Sequence, residues 1–210
     1  MKLQIALDTV SMQQAVNIIK KVHKYIDIVE VGTPMIIDFG MEAVKIIKKT
    51  FPDILVLADT KIMDAGEYEA KMVFEAKADI VTVMGITHVE TILGVVKAAS
   101  EVNKMVLADM MCVKNLEERA KRLVEIGVDY ICVHTAVDVQ ATENPYDELA
   151  RIQKTVGSKR CAIAGGITID SINKVVDYKP EIVIVGGGIT GQKNKKEVAA
   201  TFRQKLDIYG

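Results

Sequence analysis

The sequence has no tryptophan and only 5% aromatic residues, so its hydrophobic core must be built from aliphatic side chains. Cysteine is also scarce: Cys112, Cys132 and Cys161 are odd in number, lie far apart and form no C-x-x-C pair. This spacing argues against a disulfide framework and against a zinc site. We therefore expect all three to be buried apolar residues of a protein that works in the reducing cytoplasm.

Long apolar runs and an excess of one charge sign are missing as well. No apolar stretch approaches the roughly 20 residues that span a bilayer, and Asp8 interrupts the first apolar run before it could serve as a signal peptide. The 27 basic and 28 acidic side chains give a formal net charge of −1, which argues against a nucleic-acid surface. We expect neither a membrane nor a nucleic acid as a partner.

The sequence does contain one pattern that is repeated eight times. Apolar runs rich in valine and isoleucine recur about every 25 residues, which is the scale of a strand, a crossover and a helix. Near-continuous apolar runs indicate parallel strands that are covered on both faces. The runs are Leu3–Leu7, Ile26–Val31, Ile54–Ala58, Ile80–Met84, Met105–Ala108, Tyr130–Val133, Cys161–Ala164 and Ile182–Val185.

Eight such units without a linker predict an α/β protein, a single (β/α)8 TIM barrel domain over residues 1–210. A doubly wound open sheet is the alternative, but the G-x-G-x-x-G fingerprint that usually follows its first strand is missing. Ser11 is the predicted N-cap of the first helix, and Asp64 with Glu67 forms a predicted capping box. The predicted helices cover residues 11–24, 38–49, 65–76, 88–100, 115–125, 146–155, 170–177 and 193–206.

The polar residues at the two ends of the predicted strands differ in kind. Single acids precede four of the strands, and we expect them to be solvated turn residues at the bottom of the barrel: Asp27, Asp79, Asp129 and Glu181. The opposite ends carry a different set, namely Asp8, Glu30, Asp59, Lys61, Asp109 and His134. Barrel active sites form on that second face, from residues of different strands.

Four carboxylates that converge at one mouth would leave uncompensated negative charge. Lys61 and a divalent cation would neutralise it, and oxygen ligands favour Mg²⁺, with Mn²⁺ as a substitute, over zinc. His134 follows a strand at the same mouth, which makes it a candidate for proton transfer.

Glycine-rich segments follow the last two strands. Gly165 and Gly166 come after the seventh strand, and Gly187 and Gly188 come after the eighth. Loops in these two positions hold a phosphate in many barrels, because glycine lets backbone N–H groups approach the anion closely. We predict a phosphate site at these four glycines.

These residues together resemble the orotidine 5′-phosphate decarboxylase suprafamily, whose hallmark D-x-K-x-x-D follows the third strand. Here the motif is Asp59, Lys61 and Asp64, and the resemblance covers essentially the whole chain. Within the suprafamily, the chain is similar to the enzymes that condense formaldehyde with D-ribulose 5-phosphate. The matching segments are 29–34, 57–66, 130–135, 162–167 and 184–191.

The sister branch, which decarboxylates 3-keto-L-gulonate 6-phosphate, is the alternative. That branch typically carries glutamate at the position of Asp109, threonine at Ala164, and arginine at Val137 and near Gly188. This chain has none of these, so the phosphate would depend on backbone N–H groups or on a lysine such as Lys193. A phosphosugar-binding protein without catalytic activity is more remote, because the hallmark motif is complete.

The resemblance implies an aldol condensation to D-arabino-hex-3-ulose 6-phosphate, and the reverse cleavage, through an enediolate that Mg²⁺ stabilises. It implies that Glu30 and Asp59 hold the metal. Lys61 would add a second positive charge and His134 would move the proton.

The remaining site residues are also implied by the resemblance. Asp8 and Asp109 would contact the substrate, and the four glycines would contact its phosphate. Asp64 would reach the active site of the neighbouring subunit, so we expect a homodimer with shared active sites.

Overall fold

The computed structural model describes residues 1–140, Thr142 and residues 145–209. Its eight parallel strands form a closed barrel in chain order, in which the last strand pairs with the first. This is the predicted (β/α)8 barrel, and the open-sheet alternative was wrong. The strands are β1 (Lys2–Leu7), β2 (Ile28–Val31), β3 (Leu55–Ile62), β4 (Ile80–Met84), β5 (Met105–Asp109), β6 (Tyr130–His134), β7 (Cys161–Ala164) and β8 (Ile182–Val185).

The helices surround this barrel, and most of them match the predicted segments. They are α1 (Met12–Val22), α2 (Thr33–Phe39), α3 (Glu42–Thr50), α4 (Gly66–Glu75), α5 (Val89–Glu101), α6 (Leu116–Glu125), α7 (Tyr146–Val156), α8 (Ile172–Tyr178), α9 (Gly187–Thr190) and α10 (Lys195–Tyr209). Short 3₁₀ turns cover Val137–Val139 and Ser158–Arg160. Among the described residues, no helix is long and apolar enough to cross a bilayer.

The helices of the structure differ from the predicted ones at two points. The single helix expected over residues 38–49 is the pair α2 and α3, because Gly40 ends α2 with a φ of 61°. Helix α9 was not predicted, since its four residues, Gly-Gly-Ile-Thr, are too short and too glycine-rich to show an amphipathic period.

Two apolar layers hold the barrel together. Small and branched side chains fill the barrel itself, among them Ala6, Leu57, Cys132 and Ala162. A larger layer lies between the strands and the helices, and Cys161 belongs to it. Cys132 and Cys161 are therefore buried as predicted, whereas the prediction for Cys112 was wrong, because its side chain is exposed.

Helix capping follows the sequence at α1 but not at α4. Ser11 accepts a hydrogen bond from the backbone N–H of Gln14, whose side chain binds back to Ser11, so the predicted cap is confirmed. The capping box predicted for Asp64 was wrong. Ala65 occupies the N-cap position in a left-handed conformation, and Asp64 Oδ1 accepts only from the adjacent N–H of Ala65, at 2.7 Å.

The acids at the bottom of the barrel are structural rather than merely solvated. Asp27, Asp79 and Asp129 each accept a backbone N–H from the start of the preceding strand, at 2.8–2.9 Å. Asp79 departs furthest from the prediction, because it is only 6% exposed and pairs with Lys48 at 2.8 Å and Lys104 at 2.7 Å. The two ion pairs of the buried Asp79 link the start of β4 to α3 and to the residue just before β5.

This arrangement predicts a pH-dependent loss of stability in Asp79→Asn. Burial opposes ionisation, but the hydrogen bonds from Lys104 and Lys48 lower the pKa of Asp79 below its usual 3.8. The ionised form therefore stabilises the fold above about pH 4, and this contribution disappears as the pH falls through the lowered pKa. We expect the variant to lose about 2 kcal/mol or more of unfolding free energy at pH 7.

Urea unfolding of both proteins at several pH values measures this effect. The difference between them should shrink as the pH falls below about 4, because wild-type Asp79 then also becomes neutral. The exposed Asp53, just before β3, provides the control, and Asp53→Asn should change stability by less than about 0.5 kcal/mol. A pH-independent deficit in Asp79→Asn would contradict the role of its charge.

Candidate active site

A cavity of about 730 Å³ opens at the carboxyl ends of the strands, inside the mouth of the barrel. All eight strands or the loops that follow them contribute to its wall, as the barrel fold predicts. Its floor includes apolar side chains, and its polar groups converge from different strands. The predicted site residues that line it are Asp8, Glu30, Asp59, Lys61, Asp109, His134, Gly165, Gly166, Gly187 and Gly188.

The centre of this cavity is a chain of charged contacts. Lys61 Nζ lies 2.6 Å from Asp59 Oδ2 and 3.4 Å from Asp109 Oδ2. The same Asp109 oxygen lies 2.7 Å from Nδ1 of His134, and Asp109 Oδ1 accepts the backbone N–H of Met111 at 2.9 Å. Because Asp109 serves both the ammonium and the imidazole, it connects the end of β3 to the end of β6.

The charges of these groups are set by their neighbours. Burial opposes ionisation of Asp109, but its hydrogen bond with His134 and the nearby charges of His134 and Lys61 lower its pKa. Burial likewise opposes protonation of Lys61, yet Asp59 and Asp109 raise its pKa above the usual value. At neutral pH the pair is therefore a carboxylate and an ammonium.

The pKa values of Glu30 and Asp8 are raised, whereas that of Asp109 is lowered. Burial, followed by the charge of Asp59, raises the pKa of Glu30 to about 8, although a hydrogen bond from Gln4 Nε2 at 2.6 Å opposes this. Burial and the same Asp59 charge also raise the pKa of Asp8. A positive charge or hydroxyl groups placed near Asp59 would therefore stabilise the ionised forms of both acids.

The predicted phosphate loops lie on one side of the mouth. Gly165 and Gly166 have φ values of 106° and 64°, which only glycine adopts readily. Gly188 lies so close to the preceding loop that an added Cβ would sit 2.3 Å from the carbonyl oxygen of Ile167. Gly187 and Gly188 begin α9, where N–H groups lack partners within the helix.

Lys193 does not belong to this cavity. It lines a second cavity of about 630 Å³ between α1 and the start of α10, together with Lys21, Lys195 and Lys196. Lys61 is the single lysine or arginine among the described residues that line the first cavity. The glycines of the predicted phosphate site therefore have no lysine or arginine beside them among the described residues of this lining other than Lys61.

Asp64 lies outside the cavity of its own chain. Its side chain is exposed, and between the described Asp64 and Lys61 there is no ion pair. Asp64 is the second residue after β3, so it belongs to the loop at the carboxyl end of that strand. Its predicted catalytic role thus requires a second subunit.

Sequence reasoning missed three residues that hold the acids in place. Gln4 is completely buried and contacts Glu30, while Thr33 and Thr82 donate hydrogen bonds to the carboxylate of Asp59. Gln4 and Thr82 interrupt two apolar strand runs with a polar residue that faces the barrel interior. That interruption was the available signal, whereas Thr33 is the first residue of α2 and interrupts no apolar run.

Comparison with known proteins shows similarity along the full chain. The family model described as orotidine 5′-phosphate decarboxylase / HUMPS family matches residues 1–202. The 3-hexulose-6-phosphate synthase of Bacillus subtilis strain 168 is 50% identical over 207 residues, which cover 98% of this chain and 99% of that protein.

Solved structures show the same relationship. The 3-hexulose-6-phosphate synthase from Salmonella typhimurium is 41% identical and superposes with a TM-score of 0.97, covering 100% of both chains. The 3-keto-L-gulonate-6-phosphate decarboxylase from Vibrio cholerae is 28% identical with a TM-score of 0.87, covering 100% of this chain and 98% of the other. The fold is thus shared with both enzymes, and the sequence is more similar to the synthases.

Proposed function

The chain belongs to the orotidine 5′-phosphate decarboxylase / HUMPS family, and we propose that it condenses formaldehyde with D-ribulose 5-phosphate. The product is D-arabino-hex-3-ulose 6-phosphate, and the enzyme also catalyses the reverse cleavage. The full-length similarity to the curated Bacillus subtilis synthase carries this conclusion. The reaction makes or breaks a carbon–carbon bond, so the protein is a lyase of the aldolase type.

The edge of the cavity supports the synthase over the sister decarboxylase. Val137 lines the cavity and is 79% exposed, so an apolar side chain stands where the decarboxylase branch typically carries arginine. An apolar edge has no cation that could direct water or a proton toward a carbanionic carbon. Such an edge suits a reaction in which that carbon must attack an aldehyde instead.

His134 is the proposed base that removes the proton beside the ketone. Asp109 accepts from Nδ1 of the imidazole, so in the neutral ring Nδ1 carries the proton and Nε2 has a free lone pair. The C1 proton of D-ribulose 5-phosphate moves to Nε2, and the electrons of the C–H bond form the enediolate. The ionised Asp109 then stabilises the resulting imidazolium.

Lys61 is the proposed electrostatic partner of the enediolate. Its ammonium is held by Asp59 and Asp109, so it stays charged and needs little reorganisation when negative charge develops on the substrate. The enediolate carbon attacks the carbon of formaldehyde, and the proton on His134 passes to the former aldehyde oxygen. This sequence of steps needs no Schiff base on Lys61.

The donor set fits a divalent cation that prefers oxygen. Glu30 and Asp59 would hold it, because burial and the Asp59 charge leave Glu30 poised to ionise when a cation arrives. Within the described ranges no group of three or more His, Cys, Asp and Glu forms a metal cluster, so the substrate and water would supply further oxygens, as Mg²⁺ favours. When bound, Mg²⁺ or Mn²⁺ would withdraw electron density from the oxygen atoms of the substrate.

The other binding groups follow from their places in the cavity. Asp8 faces the same space as Glu30 and Asp59, and is proposed to orient hydroxyl groups of the sugar. Gly165, Gly166 and the first turn of α9 would receive the phosphate through their N–H groups.

A homodimer with shared active sites is proposed from an apolar surface beside Asp64. Six large apolar side chains on neighbouring elements are 45–80% exposed: Ile37, Met63, Tyr68, Met72, Ile86 and Leu93. They lie on α2, α4, α5 and the loops that lead into α4 and α5, so they occupy one side of the barrel. An exposed apolar surface of this kind is typical of a subunit interface, and it would bring Asp64 to the partner.

We also propose that the protein works in the cytoplasm. The three cysteines are unpaired, and two of them are buried, which supports a protein of the reducing cytoplasm.

The proposed function is tested by offering the purified protein both possible substrates. With Mg²⁺, D-ribulose 5-phosphate and formaldehyde, formaldehyde should disappear and hexulose phosphate should form, whereas 3-keto-L-gulonate 6-phosphate should release little CO₂. Removal of metal with EDTA should abolish the condensation, and Mg²⁺ or Mn²⁺ should restore it. Preferential decarboxylation would assign the chain to the sister activity, and full activity without metal would remove Glu30 and Asp59 as metal ligands.

The shared site predicts complementation between two inactive variants. Asp64→Asn should fold normally, because an asparagine side chain can still accept from the N–H of Ala65, but it should lose most activity. Lys61→Ala should lose activity as well. In a mixed dimer, one site combines an intact Lys61 with an intact Asp64 from the partner, so an equimolar mixture should regain up to about a quarter of wild-type activity.

Subunit exchange must be demonstrated separately, for example by mass spectrometry of a tagged mixture. Each variant mixed with unlabelled copies of itself provides the control and should stay inactive. If heterodimers form and no activity returns, Asp64 serves its own subunit and the shared-site proposal is wrong.

A further inference from the structure

We propose that Thr82 is a positioning residue for the reaction, whose hydroxyl holds Asp59 and Lys61 in their reactive arrangement. The inference rests on the proposed function for its chemistry, and on the geometry of β3 and β4 for its location. Thr82 is 3% exposed and lines the same cavity as the two charged residues.

The pairing between β3 and β4 is interrupted at this point. Ala58 pairs with Val81 and Ile62 pairs with Val83, so the three residues 59–61 stand opposite Thr82 alone. A bulge of this kind leaves backbone groups without their usual partners in the sheet and changes the direction of the side chains. It contains the first two charged residues of the D-x-K-x-x-D motif.

Backbone strain adds to the cost of this bulge. Lys61 has a φ of 48°, in the left-handed region that an L-residue with a long side chain rarely adopts. Its conformation persists when surrounding contacts hold it, and such residues concentrate at functional sites.

The hydroxyl of Thr82 supplies the missing contacts. It accepts the backbone N–H of Lys61 at 2.9 Å and donates to Asp59 Oδ1 at 2.8 Å. A single oxygen thus provides a hydrogen-bond partner for the N–H of the strained Lys61. The same oxygen orients the carboxylate that binds the Lys61 ammonium. Thr33 donates to the other carboxylate oxygen, Oδ2, but makes no contact with the Lys61 backbone.

Thr60 provides a matched comparison within the same bulge. Its hydroxyl donates to the carbonyl oxygen of Thr82 at 3.2 Å, and its side chain does not line the cavity. Removing that hydroxyl perturbs the bulge without touching the Asp59 carboxylate or the Lys61 N–H.

The test compares Thr82→Val, Thr82→Ser and Thr60→Val with the wild type. Thr82→Val keeps the branched shape but loses both contacts, so kcat should fall at least about tenfold with a change in KM of less than about threefold. Thr82→Ser keeps the oxygen and should restore kcat to within about threefold of the wild type, as should Thr60→Val. Thr82→Ala is the second hydroxyl-free variant if the valine variant does not fold.

Amide hydrogen exchange at Lys61 gives a readout that does not depend on the reaction. Exchange should accelerate at least about tenfold in Thr82→Val and stay near wild type in Thr82→Ser, because only the hydroxyl accepts that N–H. If the wild type has no condensation activity, the proposed function is wrong. The amide exchange of Lys61 then still tests whether the Thr82 hydroxyl holds the Lys61 backbone. Unchanged exchange in Thr82→Val, or a kcat equal to that of the wild type, would overturn the positioning role.

Discussion

The contact between Asp59 and Lys61 is the interaction on which the rest of the site depends. A buried carboxylate and a half-buried ammonium are each costly alone, and the attraction between them offsets that cost only with good geometry and further hydrogen bonds. The structure provides both, through the 2.6 Å contact and through the hydroxyl groups of Thr33 and Thr82. Asp109 then extends this balance of charges to His134, so that the imidazole and the ammonium share one carboxylate.

The architecture of the barrel explains why this balance can exist at its mouth. Apolar packing inside the barrel holds the strands in place. Residues that are distant in sequence come into contact where the carboxyl ends of these strands meet. Lys61 and Asp109 are 48 residues apart in the chain, yet they meet because β3 and β5 flank the same opening. The irregular end of β3 is then tolerated because the rigid strands around it hold the strained residue.

The structural features that could be predicted from the sequence are those with a regular period or a strong chemical contrast. Eight apolar runs predicted the barrel, and most of the charged residues that follow them line its cavity. The split of the helix at Gly40 is a local effect of the positive φ of a glycine inside an amphipathic pattern, and it was not predicted. The bulge at Lys61 and the burial of Asp79 were not predicted because they depend on contacts between separate elements. The roles of Gln4 and Thr82 were missed for the same reason, since a polar residue in an apolar run does not reveal its partner.

In the proposed mechanism His134, oriented by Asp109, removes a proton from the substrate before the carbon–carbon bond forms. The most direct measurement is hydrogen exchange at C1 of D-ribulose 5-phosphate in D₂O with Mg²⁺ and without formaldehyde, followed by NMR. We expect the wild type to incorporate deuterium at C1. We expect His134→Gln to bind the sugar phosphate but to incorporate deuterium at least about a hundredfold more slowly. Exchange at the wild-type rate in His134→Gln would show that a group other than His134 removes the proton.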